Sequence, residues 1–159
     1  MNQKNQFESL LNEYGHRNWI VVADYGFPSQ SGEDLNTIFT GQGLLETLDY
    51  VLARIEKAPH ITPKIFLADE INILTEELAP GIVEFRSDLE SRIANYPTFT
   101  LPHSEVLTKL QDKASLYKVL VMKTDLTVPY TSIFIELDCG YWNEGKEKML
   151  RDYQESTVN

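Results

Sequence analysis

Three observations predict a layered α/β fold for this chain, a sandwich built around a largely parallel central sheet. Short apolar runs bounded by turn residues alternate with longer stretches of helical periodicity through most of the sequence. The run Trp19-Ile20-Val21-Val22-Ala23 is apolar at every position, the habit of strands covered on both faces in parallel sheets. The chain has 159 residues, 42% of them apolar and 11% aromatic, which suits one domain over residues 1–159 with a core of its own.

The elements follow in order. Phe7, Leu10, Leu11 and Tyr14 keep helical spacing, and Gly15 is placed to end that helix. The strand 19–23 comes next. Residues 25–34 include Gly26, Pro28, Ser29, Ser31 and Gly32 and read as an ordered loop over a site. A short strand is expected at 37–39. A second helix opens after Gly41-Gln42-Gly43, carries Leu44, Leu48, Val51, Leu52 and Ile55, and closes before Pro59. Residues 64–68 form another apolar strand, ended by Asp69-Glu70 as the first strand is ended by Asp24; 71–78 fits neither period. A helix over 80–95 is signalled by Pro80 at its start and by Val83, Leu89 and Ile93. After a short extended piece at 99–101, His103 opens a helix with Val106, Leu107 and Leu110. The last two strands are expected at 117–122 and 132–137, joined through a turn at Pro129. Beyond about residue 143 the chain is charged and of helical propensity, a C-terminal extension.

Charge and composition narrow the function. The formal net charge is −10, whereas phosphate binding rests on clustered Lys and Arg, so nucleic acid is not an expected partner. No apolar run reaches the length of a bilayer, and Met1–Gln6 lacks the basic-then-apolar pattern of a secretory signal. The single cysteine, Cys139, has no partner for an internal disulfide; a reducing cytoplasm is the expected setting and a small buried residue its expected role. The three histidines lie in separate segments without zinc-ligand spacing, and Gly41-Gln42-Gly43 lacks both the third glycine of a dinucleotide fingerprint and the Lys-Ser/Thr of a P-loop. Neither a metal nor a cofactor is expected.

The stretch Gly15-His16-Arg17-Asn18, strand, Asp24-Tyr25-Gly26-Phe27-Pro28 holds the most chemistry. In sheets of this kind ligands gather at the carboxyl ends of strands, where Asp24 falls. A carboxylate that follows an apolar strand must find a partner, reach solvent or form an Asx turn. His16, at a helix-to-strand junction, suits either of two roles, closing the helix or moving protons near neutral pH. His103 reads as a helix N-terminal residue or as a ligand group; Tyr130, after Pro129, as a core aromatic whose hydroxyl needs a partner. His60, beside Pro59, reads as a loop residue.

These residues resemble the RbsD/FucU family, small bacterial proteins that include ribose pyranase and fucose mutarotase. The family's first motif, Gly-His, an apolar strand and Asp-x-x-x-Pro, is matched by Gly15-His16, Asp24 and Pro28. Its histidine at the start of a helix is matched by His103 in Pro-His-Ser-Glu, and its Tyr-x-Asn entry to the last strand by Tyr130-Thr131-Ser132. The resemblance runs from about residue 7 to 142. It implies an α/β sandwich assembled into homo-oligomeric rings, pentamers or decamers, with the active site near a subunit interface. It also implies interconversion of anomers or ring forms of a free monosaccharide without cofactor or metal. By matching position, His16 and Asp24 carry the acid/base chemistry and His103 and Tyr130 line the sugar, with Ser132 and Lys123 as contributors. Three departures bear on sugar preference: Ser132 stands where the family has Asn, Thr124-Asp125-Leu126 stands for Thr-Gly-Glu, and the tail is longer.

Opening a cyclic hemiacetal needs a base for the anomeric hydroxyl proton and an acid for the ring oxygen, each worth typically ~10²–10⁴-fold in rate. An imidazole and a carboxylate suffice. A non-catalytic sugar-binding protein accompanying uptake or metabolism, and a scaffold with a vestigial pocket, are the other two functions the sequence allows.

Overall fold

The computed structural model describes residues 2–29 and 35–158, so residues 30–34 of the loop expected at 25–34 lie outside the described residues. Six strands form one sheet: β1 Trp19–Ala23, β2 Leu35–Phe39, β3 Ile61–Ala68, β4 Thr98–Leu101, β5 Val119–Lys123 and β6 Ile133–Cys139. Their spatial order is β2-β5-β1-β6-β3-β4. The pairs β2–β5, β5–β1 and β3–β4 are parallel, and β6 alone runs the other way, between β1 and β3. The expected largely parallel sheet is therefore present, with a reversed strand inserted at its middle.

Side chains alternate between the two faces as a pleated strand requires. Ile20, Val22, Leu120, Ile133 and Ile135 point to one core, Trp19, Val21, Val121 and Phe134 to another. The first core is covered by three helices, α1 Gln3–Glu13, α2 Leu44–Lys57 and α3 Ile82–Ile93, which contribute Phe7, Leu48, Val51, Phe85 and Leu89 among others. Among the described helices the second is covered by α4 His103–Ala114, through Val106 and Leu110, with Phe27 of the loop after β1 beside them. One helix cannot span six strands, so part of this face stays open, and two clefts among the described residues border it.

Several boundaries differ from expectation for identifiable reasons. Strand β3 begins at Ile61, running through Pro63, where the apolar pattern begins only at residue 64. Proline fits because β4 joins β3 only from Ile65 onward, so Pro63 has a ladder neighbour on one side, Leu137 of β6. A 3₁₀ turn, Asp69–Asn72, runs into the ambiguous segment 71–78, and α3 starts at Ile82 after Gly81 in a left-handed conformation, φ 96°. Cys139 is half-buried at the end of β6 and not a core residue. The C-terminal extension is a continuous helix, α5 Glu144–Val158, without a buried side chain among its described residues. No helix of the described residues is long and apolar enough to cross a membrane.

Glu70 does not face the cleft as Asp24 does. Its carboxylate accepts the His103 amide at 3.0 and 3.4 Å, capping α4 where Pro102 has no side-chain cap to offer. A negative group at a helix N-terminus also meets the positive end of the macrodipole. Glu70→Ala should lower the unfolding free energy by about 1 kcal/mol, measurable as a lower urea midpoint at unchanged slope.

Candidate functional site

A cleft of about 410 Å³ opens at the carboxyl end of β1, between β6 and α4, within the roughly 300–1,000 Å³ of small-molecule sites. Asp24, Ser132, Tyr130 and His103 line it, so four of the six residues singled out in the sequence converge here from segments far apart in the chain. Gln111 adds an amide, and Phe27, Leu107 and Phe134 an apolar wall. Such a mixture suits a sugar ring, whose C–H faces rest on apolar surface while its hydroxyls need donors and acceptors.

The carboxylate is held on both sides. Asp24 receives the Ser132 hydroxyl on Oδ1 at 2.5 Å, and the same Oγ accepts the Asp24 amide at 3.0 Å. The backbone before it is fixed by Thr124, whose amide and Oγ1 both donate to the Ala23 carbonyl at 2.8 and 2.7 Å. The backbone after it is fixed by the Tyr25 amide, which donates to the Leu126 carbonyl at 2.7 Å. Ser132 therefore orients the carboxylate, leaving Oδ2 as the oxygen it does not engage. Tyr130 adopts φ 59°, a left-handed conformation that costs a bulky residue roughly 1–3 kcal/mol and gathers at functional sites. Its ring meets that of His103 edge to face, centroids 5.2 Å apart. His103 Nδ1 is buried and has no hydrogen-bond partner among the described residues. An orphaned ring nitrogen in a cleft wall is a place for a ligand hydroxyl.

His16 and Lys123 lie elsewhere. Lys123 ends β5 with its ammonium 5.8 Å from the Tyr25 ring centroid, outside the residues that line the cleft. His16 sits at the opposite end of β1, and that strand alone spans about 16 Å at ~3.3 Å per residue. Antiparallel β6 makes the separation plain, because Ser132, just before its start, bonds Asp24, whereas Asp138, near its end, bonds His16 Nδ1 at 2.9 Å. His16 borders a second, wider cleft of about 1,200 Å³ with Arg17, Glu136, Asp138, Phe99 and Trp142. Within one chain, then, the imidazole and the carboxylate of the first motif do not meet.

Sequence reading gave Leu107 only a place among the apolar residues of this helix and missed Gln111, although the i, i+4, i+8 spacing from His103 puts all three on one face of α4. It also missed Asp138, for which nothing local signals a partner 122 positions away.

Comparison with known proteins bears on the fold. No family model and no curated protein matches the chain. Among solved structures, it is similar to RbsD of Bacillus subtilis complexed with D-ribose, at TM-score 0.59 and 22% identity over 87% of this chain and 93% of that one. It is similar also to the fucose mutarotase of Streptococcus pneumoniae in complex with L-fucose, at 0.57 and 17% over 84% and 91%. FucU of Bifidobacterium longum follows at 0.55 and 17% over 84% and 94%. The fold of this chain is that of the RbsD/FucU proteins.

Proposed function

We propose that this protein binds a free monosaccharide in the Asp24 cleft and interconverts its anomers or ring forms by acid/base catalysis. The observation that carries the reading is the convergence of Asp24, Tyr130 and His103, the last with an unbonded Nδ1, in a cleft of sugar-compatible size. Likeness in fold to proteins described with D-ribose and L-fucose supports it.

In the reaction a base removes the O1 proton, the O1 lone pair closes to C1=O as the C1–O5 bond breaks, and an acid delivers a proton to O5. Rotation about C1–C2 and the reverse steps give the other anomer, and attack by a different hydroxyl gives the other ring size. The free oxygen of Asp24 suits one proton transfer. His16 suits the other only if it comes from a second copy, so the reading includes a homo-oligomer in which one copy's His16 faces its neighbour's cleft. Opposite ends of one strand as the two contributing surfaces make the contact head-to-tail, the kind that closes into rings. Trp142, which shares the second cleft with His16, and the exposed Tyr141, Met149 and Tyr153 of the C-terminal segment supply apolar surface that such a contact would cover.

A second reading, a sugar-binding protein without catalysis, is favoured by one observation: Asp24 Oδ1 already accepts from Ser132. Magnetisation-transfer NMR on ribose, fucose and other free sugars separates the two. Faster exchange for one sugar is expected. Line broadening without faster exchange would replace catalysis by binding, and neither effect for any sugar would sink both.

A further inference from the structure

We infer that Asp138 positions His16, holding its imidazole in the tautomer whose Nε2 carries the lone pair. The inference rests on the reading above that His16 moves protons, and it names a residue outside the Asp24 cleft that such a reading needs.

The chemistry follows from which atoms face each other. An ionised carboxylate only accepts, so the ring nitrogen 2.9 Å from Asp138 Oδ1 must be the protonated one. That nitrogen is Nδ1, which leaves Nε2, on the opposite edge of the ring, as the base in neutral imidazole and as the acid once protonated. Without a fixed partner, a solvated imidazole divides between its two tautomers, and the wrong one presents a hydrogen where a lone pair is required.

Both halves of the pair are fixed by backbone. On the carboxylate side, the Cys139 amide donates to the same Oδ1 at 2.9 Å, and the Gly140 amide to the His60 carbonyl at 3.1 Å. A Cβ at Gly140 would stand 2.7 Å from the Pro59 carbonyl oxygen, so the chain is seated directly against residues 59–61. On the imidazole side, Arg17 takes φ 79°, one of two left-handed non-glycine residues among those described, the other being Tyr130 in the cleft. Its amide donates to the Leu137 carbonyl at 2.8 Å, one residue before Asp138. Asn18 locks the turn, its Oδ1 accepting the Gly15 amide at 2.8 Å and its own amide donating to the Gly15 carbonyl at 3.1 Å. Helix α1 meanwhile ends without His16, through the Tyr14 amide donating to the Leu10 carbonyl. A histidine kept only to close that helix has no need of a strained turn that carries it to β6.

Stability does not explain the pair either. Both side chains are about half exposed, 50% and 41%, and exposed ion pairs add little to folding. Arg17, Lys64, Lys113, Glu136, Glu144 and Glu147 also border this cleft, so its overall charge is mixed and a specific contact, not a general field, must set the tautomer.

The test reads the tautomer directly. In the parent protein with the His16 imidazole neutral, its 15N shifts should identify Nδ1–H and an unprotonated Nε2. Asp138→Ala should move the ring to a mixture of tautomers. Exchange at saturating sugar should fall on the order of 10- to 100-fold, because a ring in the wrong tautomer forfeits part of the ~10²–10⁴-fold that a positioned acid or base contributes, with the half-saturating sugar concentration unchanged. Asp138→Asn, which keeps the volume and one acceptor oxygen, should lose less than Asp138→Ala, and sedimentation should show both variants assembled like the parent. An unchanged tautomer in Asp138→Ala, or an unchanged exchange rate despite a changed tautomer, overturns the inference. Full exchange in His16→Ala would instead overturn the reading beneath it, whatever the nitrogen shifts of the parent show.

Discussion

Mixing two inactive variants restores sugar exchange. His16→Ala and Asp24→Asn, assayed separately, should each lose ~10²–10⁴-fold, the usual worth of a positioned acid or base. Neither substitution disturbs a core, since His16 is exposed and Asp24 only half-buried. Unfolding the two together and refolding them lets copies reassemble at random. Where the copy with intact His16 abuts the copy with intact Asp24, the site is whole; with each side of an interface drawn independently, this holds at roughly a quarter of interfaces in a head-to-tail ring. Exchange should therefore return to about that fraction of the parent rate. A site contained in one chain predicts no recovery at all, because every cleft would still lack one group. No recovery, with both variants folded and assembled, would remove His16 from the cleft and leave Asp24 and His103 to share the proton transfers.

The distance behind that experiment is the part of the site that sequence could not display. Asp24 was legible because five consecutive apolar residues define β1 and the acid follows at its carboxyl end, where parallel sheets collect ligands. His103 was legible as a helix start, and the i, i+4 and i+8 positions of the same helix carry Leu107 and Gln111 into the cleft. His16, eight residues before Asp24, looked close to it only because sequence distance ignores that a strand is straight. The reversal of β6 was equally hidden, since a buried run reads the same in either direction. That reversal places Ser132 beside Asp24 and Asp138 beside His16. Two pairings of consequence therefore depend on the register of β1 against β6, Trp19 with Glu136 and Val22 with Ile133, which no local pattern encodes. The open half of the sheet was invisible for a related reason: helical periodicity reveals which residues of α4 are buried, not how many strands lie uncovered beside it.

Phe134 joins the fold to the site, and Phe134→Ala should have the largest effect on stability of any substitution at the cleft. The side chain is fully buried in β6, opposite Val21 on one side and Phe66 on the other. Its ring lies 6.3 Å from that of Phe27 and 6.4 Å from that of His103. Truncating a buried phenylalanine to alanine costs about 3–5 kcal/mol. At roughly 2–4 °C per kcal/mol for a chain of this size, Tm should drop by about 6–20 °C. The face involved is covered by one helix, so fewer neighbours can close over the void, and water can enter from the cleft. Sugar binding should weaken as well, because the wall that supports His103 and Phe27 is gone. Tyr130→Phe gives the contrast: at the cleft's exposed rim it removes one hydroxyl and no packing, so affinity should fall while Tm stays near that of the parent. Equal sugar affinity in Phe134→Ala and the parent, at a temperature where both are folded, would mean that the ring serves the core alone and that the cleft holds its shape without it.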